Sequence, residues 1–372
     1  MKYHIFDERE QFSEFSGGAI SRWAANVLRN DADTHVVCVA ADDSWAFPGS
    51  RICLIPELSR YAKLRARRFY PIQVNGLLLR SLYRKRSPPL QAGDVVWVHG
   101  QPDIALALVP WIRRAGAKLV LHLHGSLFVT TPASTMRAVS MTADKLVFCS
   151  SFLEQEARGK FPDLERTAIL YNGADDALFY PDISNGEPER TIPIILVACR
   201  LIPEKGVHIL IEAMRLLQKR AVPAVAKILG ASFFGGSPPS AYIKQLHQLA
   251  PSNINLAGYY SGSDLADQFR QADIFCLPAI YNDPFPLAVI EGMASGLPVV
   301  STWRGGIPEA FIDGGGVLVP PSSPAELADA LGRLIANPEL RRTIGQQGYE
   351  SYKKHFTWRA IYARYHEILA SL

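Results

Sequence analysis

An α/β protein built from two Rossmann-like domains is what this sequence predicts, and three observations carry the prediction. Short β-branched or apolar runs alternate with longer helical patterns, the alternation starts afresh about halfway along the chain, and a polar stretch separates the two series. At 372 residues and 48% hydrophobic composition, the chain is long enough to bury two cores.

The first series comprises HVVCVAA, DVVWVHG, KLVLHLHG, KLVFCS and TAILYNG, separated by stretches of helical length. The second comprises PIILVACR, AVAKILG, NINLAGY, DIFCLPA, LPVVST and GVLVPP. Such βα rhythm predicts parallel sheets covered by helices, with functional loops at the carboxyl ends of the strands. Between the series, ADDALFYPDISNGEPERTIP is rich in Pro, Asp, Glu and Asn and reads as a linker. The expected division is a first domain over 1–175, a second over 193–350, and a C-terminal helix over 351–372.

Five scattered cysteines, with no paired C-x-x-C spacing, read as buried thiols. No run approaches the apolar length of a membrane span, and MKYHIFDERE places charges where a secretory leader needs an apolar stretch, so a cytoplasmic protein is expected. The net charge of +4 is modest but uneven. Residues 60–86 hold Arg60, Lys63, Arg65, Arg67, Arg68, Arg80, Arg84, Lys85 and Arg86 without one acidic residue, interleaved with Tyr61, Phe69, Tyr70 and Tyr83. This mixture suits an anionic membrane surface and equally a solvated helix face. A nucleic-acid or polyanion-binding protein is a rival reading of that segment, but it leaves the motifs of the second half unused.

The strongest local signal is YNDPFPLAVIEGMASGLPVVST at 281–302, a loop, a helix, a glycine stop and a buried strand. Asp283 before Pro284 reads as a helix N-cap with proline at the first helical position, and Gly296 as the left-handed helix stop. The unpaired N–H groups of such a helix start suit a phosphate, and Glu291 further along suits hydroxyls. In ACRLIPEKG, Arg200 and Lys205 place two cations at a strand's carboxyl edge, where they could neutralise a diphosphate and the charge on a leaving group. Gly17 and Gly18 precede a helical pattern and permit close backbone approach. Alternation puts His122 and His124 on one strand face; His124 at the carboxyl end reads as a site residue, His122 as core, and His99 as a weaker candidate. No carboxylate or cysteine partners these histidines at ligand spacing, so neither a metal nor another cofactor is expected. Asp31-Ala32-Asp33 reads as a turn at the amino end of a strand.

These motifs together resemble the family 4 retaining glycosyltransferases of GT-B fold. Asp283 and Glu291 stand as its E-x7-E pair, ACRLIPEKG as its strand-end Arg and Lys motif, YNGADDALFYP as its Asn-Gly-x-Asp…Phe-x-Pro segment at Asn172, Gly173, Asp175, Phe179 and Pro181, and RGGIPE as its Gly-Gly-x-x-Glu loop. The resemblance is strong over about 165–330 and weak before it. It implies two domains facing across a cleft, with the C-terminal helix crossing back to the first. It also implies transfer of a hexose or N-acetylhexosamine, with retention, from a nucleotide-diphosphate sugar such as UDP-GlcNAc or UDP-glucose. The acceptor would be a glycan or glycolipid, within the family most like lipopolysaccharide core, at the inner face of the cytoplasmic membrane. Arg200, Lys205, His124 and Asp283 then carry the catalytic expectation. Gly17, Gly18, Asn172, Phe285, Pro286, Leu287 and Glu291 carry that of substrate binding. Two departures, Asp283 for glutamate and Pro286 for glycine, imply that the donor sugar is read differently here. A nucleotide-sugar epimerase is the rival enzyme, and the donor motif set argues against it.

Overall fold

The structure is a computed structural model and describes residues 1–6, 19–28, 31, 33–38, 51–54, 81, 83–85, 87–182, 190–232 and 239–372. Gly17, Gly18 and, apart from 81 and 83–85, the basic segment 60–86 lie outside the described residues. The chain divides into two units, one of Met1–Tyr171 with Tyr362–Leu372, the other of Asn172–Ile361.

The first unit is built on seven parallel strands: β1 (Lys2–Ile5), β2 (Thr34–Cys38), β3 (Arg51–Leu54), β4 (Val95–His99), β5 (Lys118–Leu123), β6 (Lys145–Phe148) and β7 (Thr167–Ile169). Their order across the sheet is β3-β2-β1-β4-β5-β6-β7. The second unit repeats the scheme with β8 (Ile194–Ala198), β9 (Val225–Leu229), β10 (Ile254–Gly258), β11 (Ile274–Leu277), β12 (Val299–Thr302) and β13 (Gly316–Val319), ordered β10-β9-β8-β11-β12-β13. These are the two parallel Rossmann-like sheets of the expected α/β class. Each reverses its winding direction once, between β1 and β4 and between β8 and β11, and ligands of such sheets bind outside the carboxyl ends at that switch.

Every apolar run singled out above carries a strand. Two strands escaped that reading, β1 and β3. KYHI in β1 alternates polar and apolar residues as a solvated strand would, yet Tyr3, His4 and Ile5 are all buried because β1 lies inside the sheet, between β2 and β4.

The helices close the cores by amphipathic faces. Val207–Lys219 buries Val207, Leu210, Ile211, Met214 and Leu217 against Ile195, Val197, Ile228 and Ile274 of the second sheet. Each large side chain so buried contributes about 1.5–3 kcal/mol. That helix starts at Gly206, whose φ of 71° is left-handed and whose absent Cβ would stand 1.9 Å from the Pro278 carbonyl oxygen. Only glycine lets the β8 loop lie so close to the β11 loop. In the first unit, Ser150 caps Ser151–Lys160 by accepting from the Leu153 N–H at 3.2 Å.

Candidate functional site

The carboxyl edge of β8 and β11 gathers the charged residues of the second unit. β8 ends at Ala198, and the turn Pro203–Lys205 brings the Lys205 ammonium back over the edge, 2.5 Å from the Asp283 Oδ2. Asp283 lies on the loop leaving β11, and its Oδ2 also accepts from the Tyr281 hydroxyl at 2.7 Å. Both members of the ion pair are buried. Burial works against the lysine's charge, but Asp283, Tyr281 and Cys199 outweigh it and the ammonium is held above its ordinary range. Burial and Asp283 push the Tyr281 phenol up to about 12. The lysine stays charged, and the tyrosine stays a donor. Arg200 is exposed beside them and makes no side-chain hydrogen bond or ion pair among the described residues.

The helix after β11 runs from Leu287 to Ala294 with Pro286 as its N-cap residue (φ −75°, ψ 122°) and no side-chain cap. The expected capping by Asp283 therefore does not occur. Asp283 and Phe285 each precede a proline, which drives the preceding backbone out of the helical region, and the Asp283 carboxylate is taken by Lys205 and Tyr281. The stop at Gly296 forms as expected, at φ 70°. Phe285 and Leu287 are buried side chains, and Pro286 is buried and has no N–H, so what this stretch offers a ligand is the amide groups opening the helix. Asn172 steadies it: its Nδ2 donates to the Phe285 carbonyl at 3.2 Å, while its Oδ1 is buried and without a partner among the described residues. Glu291 lies in the second helical turn, 3% exposed. The loop at Gly305 and Gly306 closes on the same place, for the Gly306 N–H donates to the Asp283 carbonyl at 2.8 Å and a Cβ on Gly305 would stand 2.1 Å from that oxygen.

The carboxyl edge of the first unit gathers neutral rings instead. His99 ends β4, and His122 and His124 end β5 and its extension. His99 Nδ1 lies 3.0 Å from His124 Nε2, and His99 Nε2 lies 3.1 Å from Nδ1 of His4 on β1. His4 Nε2 in turn lies 2.9 Å from the Tyr365 hydroxyl. His122 is wholly buried, neither of its nitrogens has a hydrogen-bond partner among the described residues, and its ring centroid is 3.8 Å from that of His124. Burial pushes His4 and His124 down to about 3 and holds His99 and His122 well below the ordinary range. All four are uncharged at neutral pH.

Sequence reading found His124, His99 and His122 but missed His4, Tyr365 and Tyr281. Tyr281 stood two residues from Asp283 and was within reach of the motif; His4 and Tyr365 gave no signal, being 361 residues apart. The fold also assembles what spacing argued against: nitrogens of His99, His122 and His124 lie within 4.8 Å of one another and could ligate a metal. A metal between His99 and His124 would need both facing nitrogens bare, whereas at 3.0 Å they are placed to share a proton.

Residues 182–351, which include Arg200, Lys205, Asp283 and Glu291, match the model of the family described as glycosyl transferases group 1. The chain is 27% identical over 301 residues to the GDP-mannose-dependent alpha-(1-6)-phosphatidylinositol monomannoside mannosyltransferase of Mycolicibacterium smegmatis, covering 74% of this chain and 76% of that one. Its fold is similar to that of Anabaena Alr3699/HepE, solved in complex with UDP, with a TM-score of 0.75, 21% identity and the whole of both chains covered. It is similar also to the lipopolysaccharide outer core galactosyltransferase WaaB, with a TM-score of 0.71, 17% identity, and 100% of this chain and 99% of that one covered. The fold is GT-B, and the protein is a glycosyltransferase.

Proposed function

We propose that the chain transfers a hexose or N-acetylhexosamine, with retention, from UDP-glucose or UDP-GlcNAc to a glycan or glycolipid acceptor. The observation that carries this reading is the buried Lys205–Asp283 pair at the β8/β11 switch, beside an uncapped helix start and Glu291. A diphosphate brings more negative charge than one carboxylate, so it competes for Lys205 and recruits the exposed Arg200. Asp283, released from the lysine, turns to the sugar hydroxyls, and Glu291 accepts from those of the ribose. As the sugar–phosphate bond breaks, the two cations stabilise the charge gathering on the departing diphosphate. Asn172 and the Phe285-Pro286-Leu287 stretch hold the helix start that faces the phosphates, and His124 accepts from a sugar hydroxyl. Gly17 and Gly18 are proposed to border the donor as well. The choice of a uridine nucleotide is supported by the UDP and UDP-glucose complexes of the Anabaena protein.

For the acceptor we favour a phosphorylated glycolipid of the lipopolysaccharide core, met at the inner face of the cytoplasmic membrane through residues 60–86. Each basic residue near an anionic surface contributes about 1 kcal/mol. The donor is tested by thermal protection and hydrolysis across a panel of nucleotide sugars, where UDP-glucose or UDP-GlcNAc should stand out; no response to any member would sink the reading. Co-sedimentation with anionic liposomes at low and high salt tests the surface, and wild-type protein that ignores them at low salt removes the membrane from it.

A further inference from the structure

Two partly buried arginines, Arg158 and Arg270, show how this chain ordinarily treats the side chain. Arg158 donates to the Glu154 carboxylate, the Leu164 carbonyl and the Thr167 hydroxyl, and Arg270 donates to the Leu178 carbonyl and to Asp267. Arg304 departs from this pattern. It is half-buried, its Nε is fully buried, and its guanidinium has no hydrogen bond or ion pair among the described residues. A guanidinium carries five N–H donors and cannot shed its charge, so a buried Nε–H with no acceptor destabilises the protein until something from outside meets it.

The position of Arg304 in the fold says what that could be. It follows β12 and precedes Gly305, which packs so closely that a Cβ there would stand 2.1 Å from the Asp283 carbonyl oxygen and 2.6 Å from the Asp283 nitrogen. β11 lies between β8 and β12, so the loops along this carboxyl edge bring Arg200 and Lys205 first, then Asp283, then Arg304. Neighbouring strands are about 4.8 Å apart, which sets the base of the Arg304 side chain about 10 Å from the β8 loop. That is farther than a diphosphate reaches from one phosphorus to the other. The diphosphate has its two cations on the β8 side, and Arg304 stands beyond Asp283, past the place given to the transferred sugar.

We propose that Arg304 is an anion-binding residue for the acceptor: it takes an oxyanion, in the glycolipid reading above a phosphate, side-on between Nε–H and a terminal N–H. This two-point grip is the one arginine offers to phosphate and carboxylate oxygens, and a lysine cannot reproduce it. That the anion belongs to an acceptor rests on the function proposed above; that Arg304 binds an anion does not. The assignment also explains why no carboxylate of the chain meets the guanidinium, for an internal partner would satisfy Nε and shut the ligand out.

The test is a calorimetric titration of methyl phosphate, the smallest phosphate monoester, into the full-length protein saturated with UDP, so that Arg200 and Lys205 are already occupied. Wild type should bind it. Arg304→Met keeps the apolar stem without the charge and should weaken that binding roughly 10- to 100-fold, the loss of hydrogen bonds to a charged group. Arg304→Lys keeps the charge without the fork and should fall between the two. Trp303 is 61% exposed and one residue away, so its fluorescence should follow the same titration, with the change absent in Trp303→Phe. UDP should bind Arg304→Met about as tightly as wild type, and the melting temperature should not fall, since no internal contact is lost. Absence of methyl phosphate binding to UDP-saturated wild type, or equal binding by Arg304→Met, overturns the proposal. So does a variant that loses UDP and keeps methyl phosphate, which gives Arg304 to the donor diphosphate instead. If UDP does not bind wild type, the proposed function fails by itself; methyl phosphate titrated into ligand-free wild type and Arg304→Met then decides the anion site, and equal binding removes it.

Discussion

The two sheets share one winding scheme and place their switch points alike, yet the chemistry at the two edges is opposite. At β8 and β11 a lysine is buried 2.5 Å from an aspartate and keeps its charge; at β1 and β4 a row of histidines is buried and keeps none. The difference lies in what accompanies the titrating group. Lys205 meets the Asp283 carboxylate directly, and that attraction exceeds the desolvation it suffers. The histidine row has rings for neighbours, Trp23 and Trp97 among them, and desolvation outweighs the charge that Asp31 exerts on His4. Topology thus decides where each edge lies, and loop and strand-end residues decide whether it offers charge or neutral hydrogen bonds.

The largest effect expected from this contrast is a loss of stability in mild acid that originates in the first unit. The folded histidines stay neutral while those of the unfolded chain take up protons as pH falls through about 6.5. The unfolded state then binds more protons, so stability is full above that pH and falls as pH drops towards the folded values near 3. Each histidine contributes about 1.4 kcal/mol per pH unit, and four together several kcal/mol between pH 7 and pH 5. Urea unfolding midpoints across that window are the measurement, since most carboxylates titrate below it. A flat midpoint would mean that the rings can charge in place, and the contrast between the edges would collapse.

Next in size is the ion pair of the second unit. Lys205→Ala should lower turnover roughly 100- to 1000-fold, as removal of a positioned charge-stabilising group does. It should also destabilise the fold by about 3–5 kcal/mol because Asp283 is left buried without its countercharge. Adding Asp283→Ala should restore the melting temperature but not the turnover. Arg200→Ala, at an exposed position, should lower turnover and leave melting unchanged. A Lys205→Ala enzyme with normal turnover would reduce the pair to a structural brace.

Much of this contrast was legible in the chain, for different reasons in the two halves. All six strands of the second sheet were visible because each is a short apolar run, and Arg200, Lys205 and Glu291 follow from the loops that such strands must leave at their carboxyl ends. The partner of Lys205 was read as a helix cap because an aspartate before proline is the usual signature of one; a second proline two residues on moved the helix start to Leu287, and only the fold brings Asp283 to a lysine 78 residues away. In the first half, alternation put His122 and His124 on one face. It could not show that β1, with its polar-looking KYHI, is an interior strand between β2 and β4, nor that His4 stands between His99 and a tyrosine near the far end of the chain. Hydrogen bonds across 95 and 361 residues are set by strand order and by the return of Tyr362–Leu372 to the first unit, and local pattern contains neither.

The smallest expected effect sharpens the comparison by asking whether the second edge binds through charge alone. Glu291 is a carboxylate 3% exposed in the second turn of the helix that opens at Leu287, eight positions past Asp283, and it is cast here as an acceptor for ribose hydroxyls rather than as a partner of cations. Glutamine keeps its length and one acceptor oxygen but replaces the other with a donor, so Glu291→Gln should weaken UDP binding by about 1.5–3 kcal/mol, the worth of a hydrogen bond to a charged group. The diphosphate contacts are untouched by this change, and turnover at saturating donor should fall much less than in Lys205→Ala. Calorimetric titration with UDP, with a melting curve to confirm the fold, reads the effect directly. Equal affinity in wild type and variant would leave nucleotide binding to Arg200, Lys205 and the helix start, and would make the second edge a purely electrostatic counterpart to the neutral one.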